Sequence, residues 1–177
     1  IPSALFGHNV EFIGRCIYDG VWVGPDSPIA NEDGLRLDTI EAYRQLRPST
    51  MRLGGGFGEY YHWRDGIGPR AQRPISRNLF WGGYESNHFG TDEFLHWCAS
   101  IGADPIIQVN VATGSRREAL EWMEYCNALP PSHIAEERRR NGHSEPYGVR
   151  YWQIGNENLI LHSPEEYARE VKRFGVY

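Results

Sequence analysis

Short apolar runs alternate along the chain with longer stretches of helical periodicity. The first run covers residues 5–12 and ends near Glu11. Ile40, Tyr43 and Leu46 then recur at helical spacing and predict a helix over 37–46. A second strand-like run, 49–53, is stopped by Gly54, Gly55 and Gly56, and a long aromatic loop follows to Phe89. Thr91 opens a helix with Asp92 and Glu93 in its first turn, where the helix dipole favours negative charge; it ends near Gly102. Residues 105–110 are nearly all apolar, as parallel strands buried on both faces tend to be. Helices are predicted over 115–127 and 132–141, and 149–154 reads as a fourth strand. Ser163, Pro164 and Glu166 form a capping box with proline at the first helical position, starting a last helix that runs towards Phe174.

This order is βα four times over and predicts an α/β fold with a parallel sheet, because each crossover helix returns the chain to the same end. The 177 residues give units of about 44, against about 31 in a typical eight-unit barrel. The surplus follows strands one, two and three, in the βα loops where such folds build their sites. Three strands end in polar residues: Glu11, Asn110 and the pair Asn156-Glu157. In a parallel sheet these reach one rim. The second strand ends in glycines, which permit positive φ and close approach of a ligand. They make no phosphate loop, since no Gly-Lys-Ser/Thr follows and GxGxxG is absent.

A lone glutamate at a strand end is most often a surface residue. Beside Asn156, which offers both donor and acceptor, Glu157 gains a chemical reading. The pair suits glycoside cleavage, in which a carboxyl group protonates the leaving oxygen while an amide binds the sugar 2-hydroxyl. Tyr60, Tyr61, Trp63, Phe80, Trp81 and Tyr84 crowd the loop. Aromatic faces stack on sugar rings, though any one of these taken singly reads as packing of the loop against the rim.

Lys and Arg number 18 against 23 Asp and Glu, a net charge of −5. That weighs against nucleic acid and anionic membranes, and leaves neutral partners such as sugars open. The run Arg138, Arg139, Arg140 follows two glutamates and reads as a solvated helix face. Cysteines 16, 98 and 126 are odd in number and form no CxxC, so reduced thiols are expected, with Cys98 and Cys126 buried on helices. No histidine lies near Cys16 in sequence, which argues against a thiol nucleophile. No Asn-X-Ser/Thr sequon occurs, which with the free thiols points to the cytoplasm; a chain starting at Ile1 leaves a removed signal peptide open. No apolar run approaches the ~20 residues of a membrane span. The seven histidines show no HExxH or similar spacing, so neither metal nor cofactor is expected. His8 is read either as a rim residue or as a core histidine.

The segments "EFIGRCIYDGVW", "GGGFGEYYHWRDGIGP", "WGGYESNHFGTDEF", "VNVATG", "EYCN", "NGHSEPYGVRYWQIGNEN" and "EEYAR" together resemble glycoside hydrolase family 51, mostly α-L-arabinofuranosidases. The match runs in order along nearly the whole chain, whereas "GNE" alone would suggest only the wider clan of retaining hydrolases on (β/α)8 barrels. The resemblance implies that residues 1–177 are the N-terminal half of a single TIM-barrel catalytic domain, about four βα units. It gives Glu157 the role of general acid/base and Asn156 that of the neighbouring amide on the arabinofuranose. It makes Glu11 a binder of sugar hydroxyls and places Trp63 and Asp65 in the loop that shapes the pocket wall. Phe57 and the strand-end Asn110 join the expected substrate-binding set.

The family's Arg-x-Pro-Gly-Gly-Asn/Cys-Phe is shorter here, Arg52-Leu53-Gly54-Gly55-Gly56-Phe57, so that Gly56 replaces a polar sugar contact and Glu59 is a candidate to supply it. Asn158-Leu159 stands where the family often has Trp-Gly or Asp-Gly. The family's nucleophile lies on strand seven, outside this chain, as does the β-sandwich that follows the barrel. An open half-barrel is expected to associate, with the remaining half supplied by a longer form of the same polypeptide or by another chain, and with copies of itself as homo-oligomer. The expected ligand is an arabinose-containing oligosaccharide. The rival activities are an endo-β-glucanase of the same clan and a non-catalytic carbohydrate-binding or interaction module.

Overall fold

The computed structural model describes residues 2–157 and 161–175. Four strands form one parallel sheet in the order β1 (Gly7–Glu11), β4 (Thr50–Gly54), β7 (Asp104–Val109), β8 (Tyr151–Ile154). Two two-residue ladders lie outside it: β2 (Asn31–Glu32) with β3 (Leu35–Arg36), and β5 (Ser76–Arg77) with β6 (Tyr84–Glu85). The helices are α1 (Leu37–Leu46), α2 (Thr91–Ile101), α3 (Arg116–Asn127), α4 (His133–Arg140) and α5 (Pro164–Phe174). The sheet is a four-strand arc of the (β/α)8 type, with one crossover between each pair of neighbours.

Strand register sorts the side chains. Asn9 pairs with Arg52, Arg52 with Ile106, and Ile106 with Tyr151; one layer nearer the rim, Glu11 pairs with Gly54 and Gln108 with Gln153. Successive side chains in a strand face opposite ways, so these residues share the concave face. The other face carries Val10, Met51, Leu53, Ile107 and Val109, each at most 4% exposed. Against it pack Ile40 of α1, Phe94, Trp97, Cys98 and Ile101 of α2, and Trp122 and Cys126 of α3. Each such side chain contributes about 1.5–3 kcal/mol by leaving water. Burial also pushes the Cys98 and Cys126 thiols far up, which makes both packing residues.

Helix ends follow local chemistry. Ser115, Ser132 and Ser163 each accept an N–H of the first turn, and Glu166 returns the bond to Ser163 N–H at 2.7 Å. The long loop between β4 and α2 is anchored rather than loose. Arg73, 4% exposed, meets Glu93 at 2.9 Å, and Glu93 also caps the Gly90 N–H.

One member of the arginine run departs from the expected solvated face, on which Arg139 and Arg140 do lie exposed. Arg138 is fully buried and donates to the carbonyls of Tyr125, Ala128, His143 and Ser144, tying α4 to the end of α3 and to the loop beyond α4. Those carbonyls are satisfied by one planar group with five donors, which a charge-pattern reading does not detect. His8 is neither core nor rim: it is exposed and meets Tyr43 of α1 edge-on at 6.1 Å.

Candidate active site

The parallel sheet delivers four strand ends to one rim, where a continuous hydrogen-bonded chain joins them. Glu11 ends β1 half-buried, and its Oε1 accepts from Gly56 N–H at 2.8 Å and from the Trp81 indole N–H at 3.1 Å. Gly55 N–H donates to Gln108 Oε1 at 2.7 Å, and Gln108 Nε2 donates to the Gly55 carbonyl and to Glu59, both at 3.2 Å. Glu59 accepts from Asn156 N–H, and Asn156 Oδ1 accepts from Arg52 Nη1 at 2.7 Å. Arg52 continues to Gln153 and to Asn9, so its guanidinium spans the concave face from β8 back to β1.

The turn after β8 is held atom by atom. Gly155, at φ 66°, donates its N–H to the Val109 carbonyl and receives Gln153 Nε2 on its own carbonyl at 2.7 Å. Asn156 is fixed at its N–H by Glu59 and at its Oδ1 by Arg52. Arginine only donates, so the amide oxygen must face it and Nδ2 is turned to the other side. Nδ2 has no partner among the described residues, and the same is true of Glu11 Oε2. Glu157 follows at φ 46°, exposed, without hydrogen bond or ion pair among the described residues. Trp81 stands beside Glu11 with 47% of its surface exposed. The rim therefore offers an acceptor, a donor, an exposed carboxyl group and an aromatic face. A cavity of about 260 Å³, lined by none of those four residues, opens between Phe57, Tyr60, His62, Asp65, Arg77 and Thr113.

Several expected ligand contacts have other work. Trp63 is 1% exposed, stacked on Trp122 at 6.0 Å, with its indole N–H on the Glu118 carbonyl. It buttresses the loop from within and presents no pocket wall; Asp65 of the same segment does line the cavity. Phe57 is 2% exposed and packs edge-on to Phe12, while also lining the cavity with Asp65. Asn110 spends its amide on the following turn and on the loop after β4, donating to the Tyr61 carbonyl and to Thr113 Oγ1 and accepting from the N–H groups of Ala112 and Thr113. Gly56 gives its N–H to Glu11, and the Phe80 ring fills the space a side chain would take, 2.2 Å from an ideal Cβ.

Glu59 does not replace the missing sugar contact. It is 1% exposed, and burial raises its pKa against N–H donors from Asn156, Val111 and Ala112. The glycines bring the protein's own Glu11, Gln108 and Phe80 against backbone rather than a ligand, and of the three only Gly55 has positive φ, at 98°. Arg52, Gln108 and Gln153 were not singled out from sequence. Their signal was present: each is a polar residue between two apolar ones inside a strand.

A domain model described as the α-L-arabinofuranosidase 1 domain matches residues 42–177. Among curated proteins, α-L-arabinofuranosidase C of Emericella nidulans is 45% identical over 176 residues, covering 96% of this chain and 35% of the relative. Among solved structures, an α-L-arabinofuranosidase from Thermotoga maritima in complex with arabinose superposes with TM-score 0.91 at 44% identity, over 96% of this chain and 36% of that one. The family 51 arabinofuranosidase of Xanthomonas axonopodis pv. citri gives TM-score 0.95 at 40% identity, over 98% and 36%. The chain thus spans about a third of the length of the relatives it matches.

Proposed function

The chain belongs to the α-L-arabinofuranosidase family, glycoside hydrolase family 51, and we propose that it forms the N-terminal part of a single (β/α)8 catalytic barrel. The barrel releases terminal α-L-arabinofuranosyl groups from arabinan- or arabinoxylan-type oligosaccharides with retention. The observation that carries this reading is the fixed Gly155-Asn156 turn, which holds Glu157, without a partner among the described residues, on the rim that also bears Glu11.

In this reading Glu157 protonates the departing glycosidic oxygen and then deprotonates the water that releases the sugar. Glu11 Oε2 accepts from a ring hydroxyl and Asn156 Nδ2 donates to the 2-oxygen, where hydrogen bonds strengthen in the transition state. Trp81 offers its face to the ring. Retention needs a second carboxylate about 5–5.5 Å from the first. Glu59 is enclosed by N–H donors and Glu11 has one oxygen occupied, so the nucleophile is assigned to polypeptide beyond these four strands. That polypeptide, in the same longer chain or a separate one, pairs with the sheet edges at β1 and β8, and copies of the protein associate.

The test is hydrolysis of an aryl α-L-arabinofuranoside by the full-length protein, with the first-formed anomer read by proton NMR. The α-anomer is expected. An inverted product overturns the mechanism. Cleavage of β-glucan instead makes the protein an endo-glucanase, and arabinoside binding without turnover makes it a carbohydrate-binding module.

A further inference from the structure

We propose that Glu59 is a positioning residue, a three-way clamp that sets the Glu157 segment against the ends of β4 and β7. The proposal rests on the glycosidase reading above. Glu59 closes the short helical turn Gly56–Glu59 that follows β4. One carboxylate oxygen, Oε1, accepts from Asn156 N–H and from Gln108 Nε2 at 3.2 Å. The other accepts from Val111 N–H at 3.1 Å, and the Glu59 carbonyl accepts from Thr113 Oγ1 at 3.1 Å. The chain after β4, both sides of the end of β7, and the turn after β8 therefore meet on one residue.

The chemistry of the site marks this as a geometric device. The carboxylate is 1% exposed, and its bonding partners are neutral N–H groups. A buried acid whose hydrogen bonds come from neutral donors is an expensive way to stabilise a fold. Its oxygens do, however, gather donors from two strand ends at once, which no apolar side chain can do. Glu157 needs such an anchor. It has no partner of its own among the described residues, and it sits at φ 46°, a left-handed conformation that non-glycine residues hold only when the surroundings impose it. The Asn156 N–H on Glu59 is the last fixed backbone group before it. His162 and Tyr167 are the titratable neighbours on the far side, ahead of α5 and within it.

The sequence signal was slight. Glu59 falls in a Gly- and aromatic-rich loop, and only the fold brings residue 156, 97 positions on, against it.

Glu59→Gln in the full-length protein tests the clamp. Glutamine keeps the volume and one acceptor oxygen, but its NH2 faces an N–H donor. A misplaced acid loses most where protonation of the leaving group matters. For alkyl arabinofuranosides kcat should fall about 10–100-fold with KM nearly constant, while activated aryl arabinosides should change by no more than about threefold. Hydrogen exchange of the Asn156 and Val111 amides should accelerate, with Phe94 in α2 unchanged. Equal loss on both substrate classes, or unchanged exchange at Asn156, overturns the proposal. Glu59→Asp, which withdraws the carboxylate by one methylene, serves if the glutamine variant does not fold. If even the unmutated protein cleaves no arabinoside, the glycosidase reading fails, and exchange at Asn156 alone decides whether the clamp exists.

Discussion

Arg52, in the middle of β4, donates through Nη1 to Asn156 Oδ1, just past the end of β8, at 2.7 Å. The contact crosses the concave face of the sheet over the intervening strand β7. It fixes which end of the Asn156 amide turns to a ligand. Arg52→Lys keeps the charge but cannot reach Asn9, Gln153 and Asn156 together. A lost hydrogen bond to a charged group is worth about 1.5–3 kcal/mol, so kcat/KM for arabinofuranosides should drop roughly 10–100-fold. Steady-state kinetics of the full-length variant measure it; an unchanged value would remove Arg52 from the site.

Glu157→Ala should separate substrates by leaving group. An alkyl or sugar leaving group needs the proton and should lose about 10²–10⁴-fold. A nitrophenolate leaves without it, so its first step should be nearly spared, and added azide should restore the second step by attacking in place of water. Uniform loss across both classes would show that Glu157 is not the acid.

Gly55→Ala should damage fold and site together. Gly55 sits at φ 98° and ψ −164°, a region essentially reserved for glycine. An added Cβ would also lie 2.0 Å from the Glu11 carboxyl carbon. The backbone alone contributes about 1–3 kcal/mol of destabilisation, and Glu11 must move as well. A fall in the urea midpoint with weakened arabinose binding is the expected pair of results.

Asp92 gives a pH prediction with a definite sign. It is largely buried and accepts the hydroxyls of Tyr125 and Tyr147; burial raises its pKa, and those two donors oppose the rise. The folded protein therefore holds the proton more tightly than the unfolded chain does. This contribution to stability is complete below the ordinary carboxylate value of 3.8 and is lost as pH rises through the higher folded value. Urea unfolding across that acidic window should show the wild type losing stability relative to Asp92→Asn as pH increases. The opposite slope would mean that the tyrosine hydroxyls outweigh burial.

How much of this was legible from residues follows from what each feature depends on. The capping box at Ser163 and Glu166, the order of strands and helices, and the strand-end positions of Glu11, Asn156 and Glu157 depend on neighbours within a few residues, and sequence pattern reads those. The arrangement of the polar groups depends on register. Asn9, Arg52 and Gln153 share one face only because parallel pairing sets them in adjoining layers. Aromatic residues were the least legible, since Trp63 and Trp81 look alike in a loop, and packing alone sends one indole under α3 and leaves the other on the rim. Arg138 departs from its neighbours for the same reason: charge spacing suits a solvated face, which Arg139 and Arg140 occupy, while Arg138 is drawn inward by four carbonyls.

The sequence by itself determined the parallel α/β architecture, the family, and the strand end at which an Asn-Glu pair would stand, because periodicity, capping and local motifs are written within one segment. Only the tertiary structure decided that Glu59 would be an internal clamp and Arg52 a strut across the sheet. The physical reason is that a hydrogen bond needs about 3 Å between its partners, and no local pattern brings residue 52 or 59 that close to residue 156.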